Sequence, residues 1–306
     1  MQIPGVLLKT ELSRIKPDLS RRRTWLREGA IRSAGQWYVT PEAPADLVAL
    51  LEQGVRPACL DAAALHGLWI PRGSGVHVYR PRVIDAPEPG PHMLPLRRWV
   101  DPMTNELVPF PEPDNGWPRS RLQPLVFHGP RMRAWPGTDP VPGIMQTLDH
   151  AARCLPTVKA AILIESALNK SALHRPELEA LLAGLPERFR TPLSRVRSDA
   201  QSGTETAVRW WLEGLRVRVR SQVQLLPDTR VDLLVGTNWV IECDSREFHD
   251  APDQYREDRR RDLALASRGY RVTRLTWEQV FLEWAVTEQT LLTMLHRREH
   301  RRALPA

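Results

Sequence analysis

Hydrophobic alternation is sharpest in the last third of the chain. Val217, Val219, Ser221, Val223 and Leu225 alternate with Arg216, Arg218, Arg220, Gln222 and Gln224, predicting a strand with one apolar and one strongly basic face. Two further strands follow, Arg230 to Val235 and Trp239 to Asp244, joined by Gly236-Thr237-Asn238. Upstream, Ser202-Gly-Thr-Glu205 opens a helix through Ala207 to Glu213 that ends at Gly214. Downstream, a helix is expected from about Asp253 to Ser267. Helical spacing also runs from Gly143 through Ile144, Leu148, Ala151 and Leu155, then Ala160 to Leu168 and Leu178 to Leu185. Glu165 falls inside the most apolar of these stretches and calls for an arginine partner.

Earlier segments are less regular. Residues 1–45 read as a helix, a short helix and a hairpin: Ser20 precedes Arg21-Arg22-Arg23-Thr-Trp-Leu-Arg-Glu28, Gly29 stops it, and two short strands flank Ala34-Gly35. A short helix, Cys59 to Gly67, and two strands around Gly73-Ser-Gly75 ending in Val76–Tyr79 come next. Between Pro81 and Pro142 stand 15 of the 28 prolines, which excludes long helices and central strands. Leu94, Trp99, Val108, Phe110 and Leu125 to Phe127 still recur there, so loops and edge strands packed on a core are expected.

The three-residue loop at Gly236 fixes a register. Val235 faces Trp239, Leu234 faces Val240, Leu233 faces Ile241, and Asp232 faces Glu242, with Cβ atoms about 4.5–5.5 Å apart. Two carboxylates so placed destabilise a sheet unless a cation lies between them. Mg²⁺ or Mn²⁺, held by one or two carboxylates together with water and phosphate oxygens, answers that need. The bland alternative is an exposed carboxylate pair bridged by arginines. Two residues further on, Arg230 falls opposite Asp244.

Composition narrows the setting more than the chemistry. Of the 43 basic residues only Lys9, Lys16, Lys159 and Lys170 are lysine, and the net charge is +7. Such a chain suits a polyanionic partner, although the arginine skew also follows from a GC-rich genome. Cys59, Cys154 and Cys243 show neither disulfide nor zinc spacing, and His66 and His77 read as structural. No signal-peptide h-region and no membrane-spanning apolar run is present, so a cytoplasmic protein without membrane contact is expected.

Strand–Asp, hairpin, strand–Glu-x-polar resembles the core of the PD-(D/E)xK nucleases. The ordered series Glu242-Cys-Asp244, Phe248-His249, Asp258-Arg-Arg-Arg-Asp262 and Gly269-Tyr-Arg-Val-Thr-Arg274 is similar to the branch containing the very-short-patch-repair endonuclease. That resemblance covers about Ser202 to Leu295. It implies an αβββαβ core and a DNA endonuclease. Asp232, Glu242 and Asp244 would be metal ligands, Glu205 their support and His249 a proton carrier. Arg256, Arg260 and Arg261 would contact DNA beside Arg218 and Arg220 of the basic strand. Each has a structural counter-reading. Ser202-x-x-Glu205 is also a capping box, His249 could bond only locally, and Arg259 to Arg261 could pair with Glu257, Asp258 and Asp262.

One departure stands out: the family's lysine is replaced by Asp244, and no lysine follows Lys170. Asp244 is then a third ligand or an anchor for Arg230, or else the fold has lost catalysis and only binds nucleic acid. The N-terminal pattern resembles the winged helix-turn-helix of AbiEi-type antitoxins, which would set Arg21, Arg22 and Arg23 against DNA. The alternative is a solvated face, since cations at a helix start oppose its dipole.

Together these readings give an α/β (α+β overall) protein. It would comprise a winged helix at 1–45, a small α/β and proline-rich region packed on it at 46–142, a helical connector at 143–200 and a nuclease-like domain at 201–306. The function expected is metal-dependent DNA cleavage in phage defence or mobile-element biology. The alternative is an antitoxin-like transcription regulator with an inactive nuclease-like domain. DNA, a second copy of the chain and a toxin or phage protein are the candidate partners.

Overall fold

The computed structural model describes residues 1–14, 19–72, 75–79, 98–100, 107–109, 125–128, 138–244 and 252–304. The chain is mixed α+β and divides into two compact units. The first takes residues 1–67, 73–99 and 108–154; the second takes 68–72, 100–107 and 155–306.

In the first unit, β1 (Val6–Leu8), α1 (Lys9–Arg14), α2 (Leu19–Arg27), β2 (Arg32–Ala34) and β3 (Trp37–Val39) follow in order. Strand β3 is central and antiparallel to both β1 and β2. Its Trp37 and Val39 are buried with Ala34 and with Leu47, Val48 and Leu51 of α3 (Ala45–Glu52). The expected hairpin is therefore a three-stranded sheet. A three-residue strand such as β1 is too short to show alternation.

Next come β4 (Arg56–Pro57), α4 (Cys59–Leu65), β5 (Val76–Tyr79), β6 (Arg98–Val100), β7 (Leu107–Pro109), β8 (Leu125–His128) and α5 (Ile144–Cys154). Strand β5 lies between β4, antiparallel, and β8, parallel. Of the two strands expected around Gly73–Gly75, only β5 is found among the described residues. Leu68–Arg72 is irregular: Pro71 has no N–H to give a ladder, and the Trp69 amide donates to Ser166 Oγ at 2.8 Å.

The second unit begins with helices α6 (Thr157–Asn169), α7 (Arg175–Gly184), α8 (Glu187–Leu193) and α9 (Gly203–Gly214). Strands β9 (Val219–Leu226), β10 (Thr229–Val235) and β11 (Trp239–Asp244) then form an antiparallel meander. Helix α10 (Pro252–Ser267) crosses over to β12 (Arg271–Thr276), parallel to β11, giving the order β12-β11-β10-β9. Helices α11 (Trp277–Phe281) and α12 (Trp284–His296) close the unit. Val208 and Leu212 of α9 and Leu291 and Leu295 of α12 pack with Leu233, Val235, Trp239 and Ile241. A separate cluster joins Leu234 and Val240 to Leu265 of α10.

Glu165, inside apolar α6, has the expected arginine. It forms an ion pair with Arg209 of α9, and both side chains are completely buried. Thr206 Oγ1 (2.8 Å), the Arg197 amide (3.1 Å) and Trp210 Nε1 (3.2 Å) also donate to this carboxylate. Arg209 further pairs with Glu213 at 3.1 Å. This polar knot fixes α9 against α6.

Gly236 opens the β10–β11 turn at φ +61°, and a Cβ there would collide with the His300 carbonyl. Gly236→Ala is therefore expected to lower stability by about 1–3 kcal/mol from backbone strain alone, read by denaturant unfolding. Gly214→Ala, at the end of α9 with nothing within 4 Å of the added methyl, should be neutral or stabilising. Equal effects at both positions would refute the account of the turn.

Candidate active site

The β10–β11 ladder runs Val235–Trp239, Leu234–Val240 and Leu233–Ile241, the register set by the three-residue loop. There the backbone pairing stops and carboxylates take over. The Asp232 amide donates to Glu242 Oε2 at 3.4 Å, and the Cys243 amide donates to Asp232 Oδ2 at 2.8 Å. The two acids are thus brought together, through side-chain bonds to the opposite strand's backbone rather than by a continued ladder.

Glu205 arrives from the first turn of α9. Its amide donates to Ser202 Oγ at 3.1 Å, so the helix cap is formed. Its carboxylate accepts from the Gln201 amide (3.1 and 3.2 Å) and from Gln222 Nε2 at 2.8 Å. The same Gln222 amide donates to Asp232 Oδ1 at 3.1 Å. Ser202 therefore caps the helix, but only the serine half of the capping box is formed, because the Glu205 carboxylate accepts from the Gln201 amide rather than the Ser202 amide and is linked through Gln222 to Asp232.

Gln222 was not singled out by the sequence, and a β-bulge explains why. Thr229 pairs with Leu226 but Arg230 with Gln224, a one-residue slip in the β9–β10 ladder. The flanking pairs Val231–Val223 and Leu233–Ser221 then set Gln222 across from Asp232. Without the bulge, Val223 would stand there. Gln222 itself is at φ +52°, a conformation that costs a non-glycine residue about 1–3 kcal/mol and recurs at functional sites.

Burial, and then the Asp232 carboxylate, push Glu205 up to about 8, against the pull of Gln222 and the Gln201 amide. The same two causes push Glu242 up to about 8, with Arg261, the Asp232 amide and Arg274 pulling the other way. Glu205 is 2% exposed. These acids are costly to ionise together without a cation. Their donor set, all oxygen, suits a hard divalent ion.

Positive charge near Glu242 comes from arginine. Arg274 pairs through the β11–β12 backbone with Glu242 and binds Asp262 at 2.8 Å. Arg261, half-buried, donates to the Arg230 carbonyl at 2.9 Å. Arg274 is a neighbour the sequence did not single out. Its only sequence signal is its place at the end of the segment Gly269 to Arg274.

The remaining site residues scatter. Asp244 is paired by backbone with Thr276 at the end of β11, and its side chain lies outside the described residues, as do His249 and the Arg256 side chain. Arg220 on edge strand β9 and Arg218 just before it are exposed, and Arg260 is exposed on α10. Arg21, Arg22 and Arg23 lie on α2 in the other unit, Arg21 and Arg23 exposed and Arg22 half-buried.

No family model and no curated protein matches the chain. Among solved structures, the catalytic domain of the homing endonuclease I-Bth0305I is similar to it. The likeness covers 30% of this chain and 94% of that domain, at 18% identity and a TM-score of 0.26. So weak a superposition says nothing of function. No helix among the described residues is long and apolar enough to cross a membrane.

Proposed function

We propose that the second unit is a divalent-metal-dependent DNA endonuclease. The observation that carries this reading is the convergence of Glu205 and Glu242 on Asp232 at the end of the β10–β11 ladder. Asp232 and Glu242 would hold the ion with Glu205 in support, and Mg²⁺ or Mn²⁺ fits their oxygen donors. Asp244 would join them as a third ligand. A bound ion supplies charge neutralisation at the scissile phosphate and lowers the pKa of a coordinated water.

The chain's own residues prepare the rest. Gln222 holds Glu205 and Asp232 in place by donating to both. Arg261 and Arg274 set positive charge beside Glu242 and would stand in for the lysine that this sequence lacks. Arg220, exposed on edge strand β9, and Arg218, exposed just before it, would meet the phosphate backbone, while also guarding the sheet edge against pairing with another chain. Arg260 would extend that contact, and Arg256 and His249 keep the roles the family resemblance implies. Arg21 to Arg23, on α2 just before the β2–β3 hairpin, would give the protein a second, targeting contact with DNA. A role in phage defence or mobile-element biology, with a second copy or a toxin or phage protein as partner, belongs to the same proposal.

The lack of any lysine after Lys170 favours one other reading, an antitoxin-like DNA-binding regulator with an inactive nuclease-like domain. Supercoiled plasmid separates the two. The endonuclease converts it to nicked or linear form with Mg²⁺ or Mn²⁺ and not with EDTA, whereas the regulator only retards its migration in both conditions.

The raised pKa values make a second expectation. Between about 4.5 and 8 the folded protein keeps protons on Glu205 and Glu242 that the unfolded chain has released. Without a cation, stability is therefore expected to fall as pH rises through that window. Divalent binding expels those protons, so its affinity should rise towards pH 8 and its stabilising effect should grow with it. Thermal unfolding at about pH 6 and about pH 8.5, with and without Mg²⁺, reads both. An Mg²⁺ effect independent of pH would contradict the assignment.

A further inference from the structure

Cys59, His77 and Cys154 of the first unit stand far apart in the sequence, with no zinc-motif spacing. The fold brings them together with His128. Cys59 starts α4, His77 lies in β5, His128 ends β8 and Cys154 ends α5. Their ligand atoms all lie within 4.8 Å of one another. His77 Nδ1 is 2.9 Å from His128 Nε2 and 3.7 Å from Cys154 Sγ. In a tetrahedral site with Zn–N of about 2.0 Å and Zn–S of about 2.3 Å, ligand atoms stand roughly 3.3–3.8 Å apart. Small side-chain adjustments bridge that difference.

The parallel register explains the meeting of the two imidazoles. His77 pairs with Val126 and Tyr79 with His128, so His77 and His128 project from the same face of adjacent strands, one step of two residues apart. Asp61 of α4 accepts from the His77 amide at 2.6 Å and anchors β5 beside Cys59. Cys59 is fully buried at φ +46°, a backbone cost of the kind found at ligand clamps.

His150 gives a second, independent sign. It is fully buried, one turn before Cys154 on α5, and neither ring nitrogen has a hydrogen-bond partner among the described residues. Its ring stacks on Tyr79 at 5.8 Å and lies 5.4 Å from that of His128. An orphaned imidazole next to two thiols and two more imidazoles is an unusual set to bury for packing alone. Cys59, His77 and His128 are buried while Cys154 is exposed, which leaves a path for an ion to enter.

We propose that Cys59, His77, His128 and Cys154 form a structural zinc site, closed by four protein ligands, that clamps α4, β5, β8 and α5. Two thiolates and two imidazoles are the donor set of structural Zn²⁺ and leave no open position for catalysis. Each thiol loses its proton to solvent as the ion binds. The site is independent of the carboxylates in the other unit.

The test uses the full chain, purified under reducing conditions without chelator. Elemental analysis is expected to find one zinc per chain. Replacing that zinc by Co²⁺ should give the visible absorption of a tetrahedral ion with thiolate ligands. Cys154→Ser, at the exposed ligand, should weaken zinc binding by more than about tenfold. For the wild-type protein, stripping zinc should lower the midpoint of unfolding by about 5 °C or more, and zinc alone should restore it. Asp232→Asn should keep both the zinc and the cobalt spectrum, which separates this site from the nuclease reading. The proposal is overturned if the wild-type chain neither carries nor takes up zinc. It also fails if Cys59 and Cys154 are joined in a disulfide under these conditions, or if the zinc disappears with Asp232.

Discussion

Asp232→Asn is expected to reduce metal-dependent plasmid cleavage by more than about a hundredfold while leaving the protein folded. Asp232 is the common neighbour: it receives Gln222 and the Cys243 amide, its own amide meets Glu242, and its charge raises both Glu205 and Glu242. Asparagine keeps an acceptor for Cys243 and occupies the same volume, so the fold should survive and DNA retardation should persist. Removing the central charge also removes one cause of the raised pKa values. The pH-dependent loss of apo stability should accordingly flatten in the variant. Nicking assays with Mg²⁺ and Mn²⁺, beside circular dichroism of both proteins, read all three. Equal cleavage by wild type and variant would sink the catalytic assignment even if the fold is right.

Glu165→Ala is expected to cost about 3–5 kcal/mol of stability, the range for breaking a buried pair and stranding its partner. Among the described residues Arg209 would keep only Glu213 as an ion-pair partner, and Thr206, Trp210 and the Arg197 amide would each lose an acceptor. Glu165→Gln should fall between, since the amide oxygen still accepts but the charge on Arg209 is no longer matched. Denaturant titration followed by tryptophan fluorescence would show the loss, Trp210 lying within this knot with Arg195 over its ring at 4.4 Å. If alanine at 165 unfolds at the wild-type midpoint, the pair is dispensable and α9 is held by its apolar face alone. Because α9 carries Glu205, the same substitution is also expected to disturb the carboxylate cluster at a distance.

What the sequence made legible was local. The β10–β11 hairpin could be counted residue by residue because a short turn and a period of two leave no freedom: Leu233 meets Ile241 as expected, and Asp232 comes to Glu242. Glu165 was legible for a related reason, as a charge inside an apolar helix must find a partner. Gln222 was hidden because a single bulge at Thr229 and Arg230 changes which residue faces Asp232, and no residue there announces a bulge. The Cys59–His77–His128–Cys154 cluster was hidden more thoroughly. Its members lack the close pairs that mark zinc motifs, and they meet only because β8 lies parallel to β5, a pairing that neither strand's pattern reveals. Strand β1 and the irregular run at Leu68–Arg72 show the same limit at small scale, for three to five residues carry too little periodicity to decide.

That parallel pairing also shapes how the protein reaches its native state. Val76 pairs with Leu125, 49 residues later, whereas Val235 pairs with Trp239 across three intervening residues. Loop-closure entropy grows by about 0.6 kcal/mol per doubling of length, so the long closure carries roughly 2.5 kcal/mol more than the short one before any contact rewards it. Contacts between distant positions slow folding. The hairpin in the second unit can therefore form early from neighbouring residues, while the β5–β8 pair must wait for a long, proline-rich stretch of chain to bring its ends together. In a growing polypeptide, α4 and β5 would emerge well before the strand that completes their sheet.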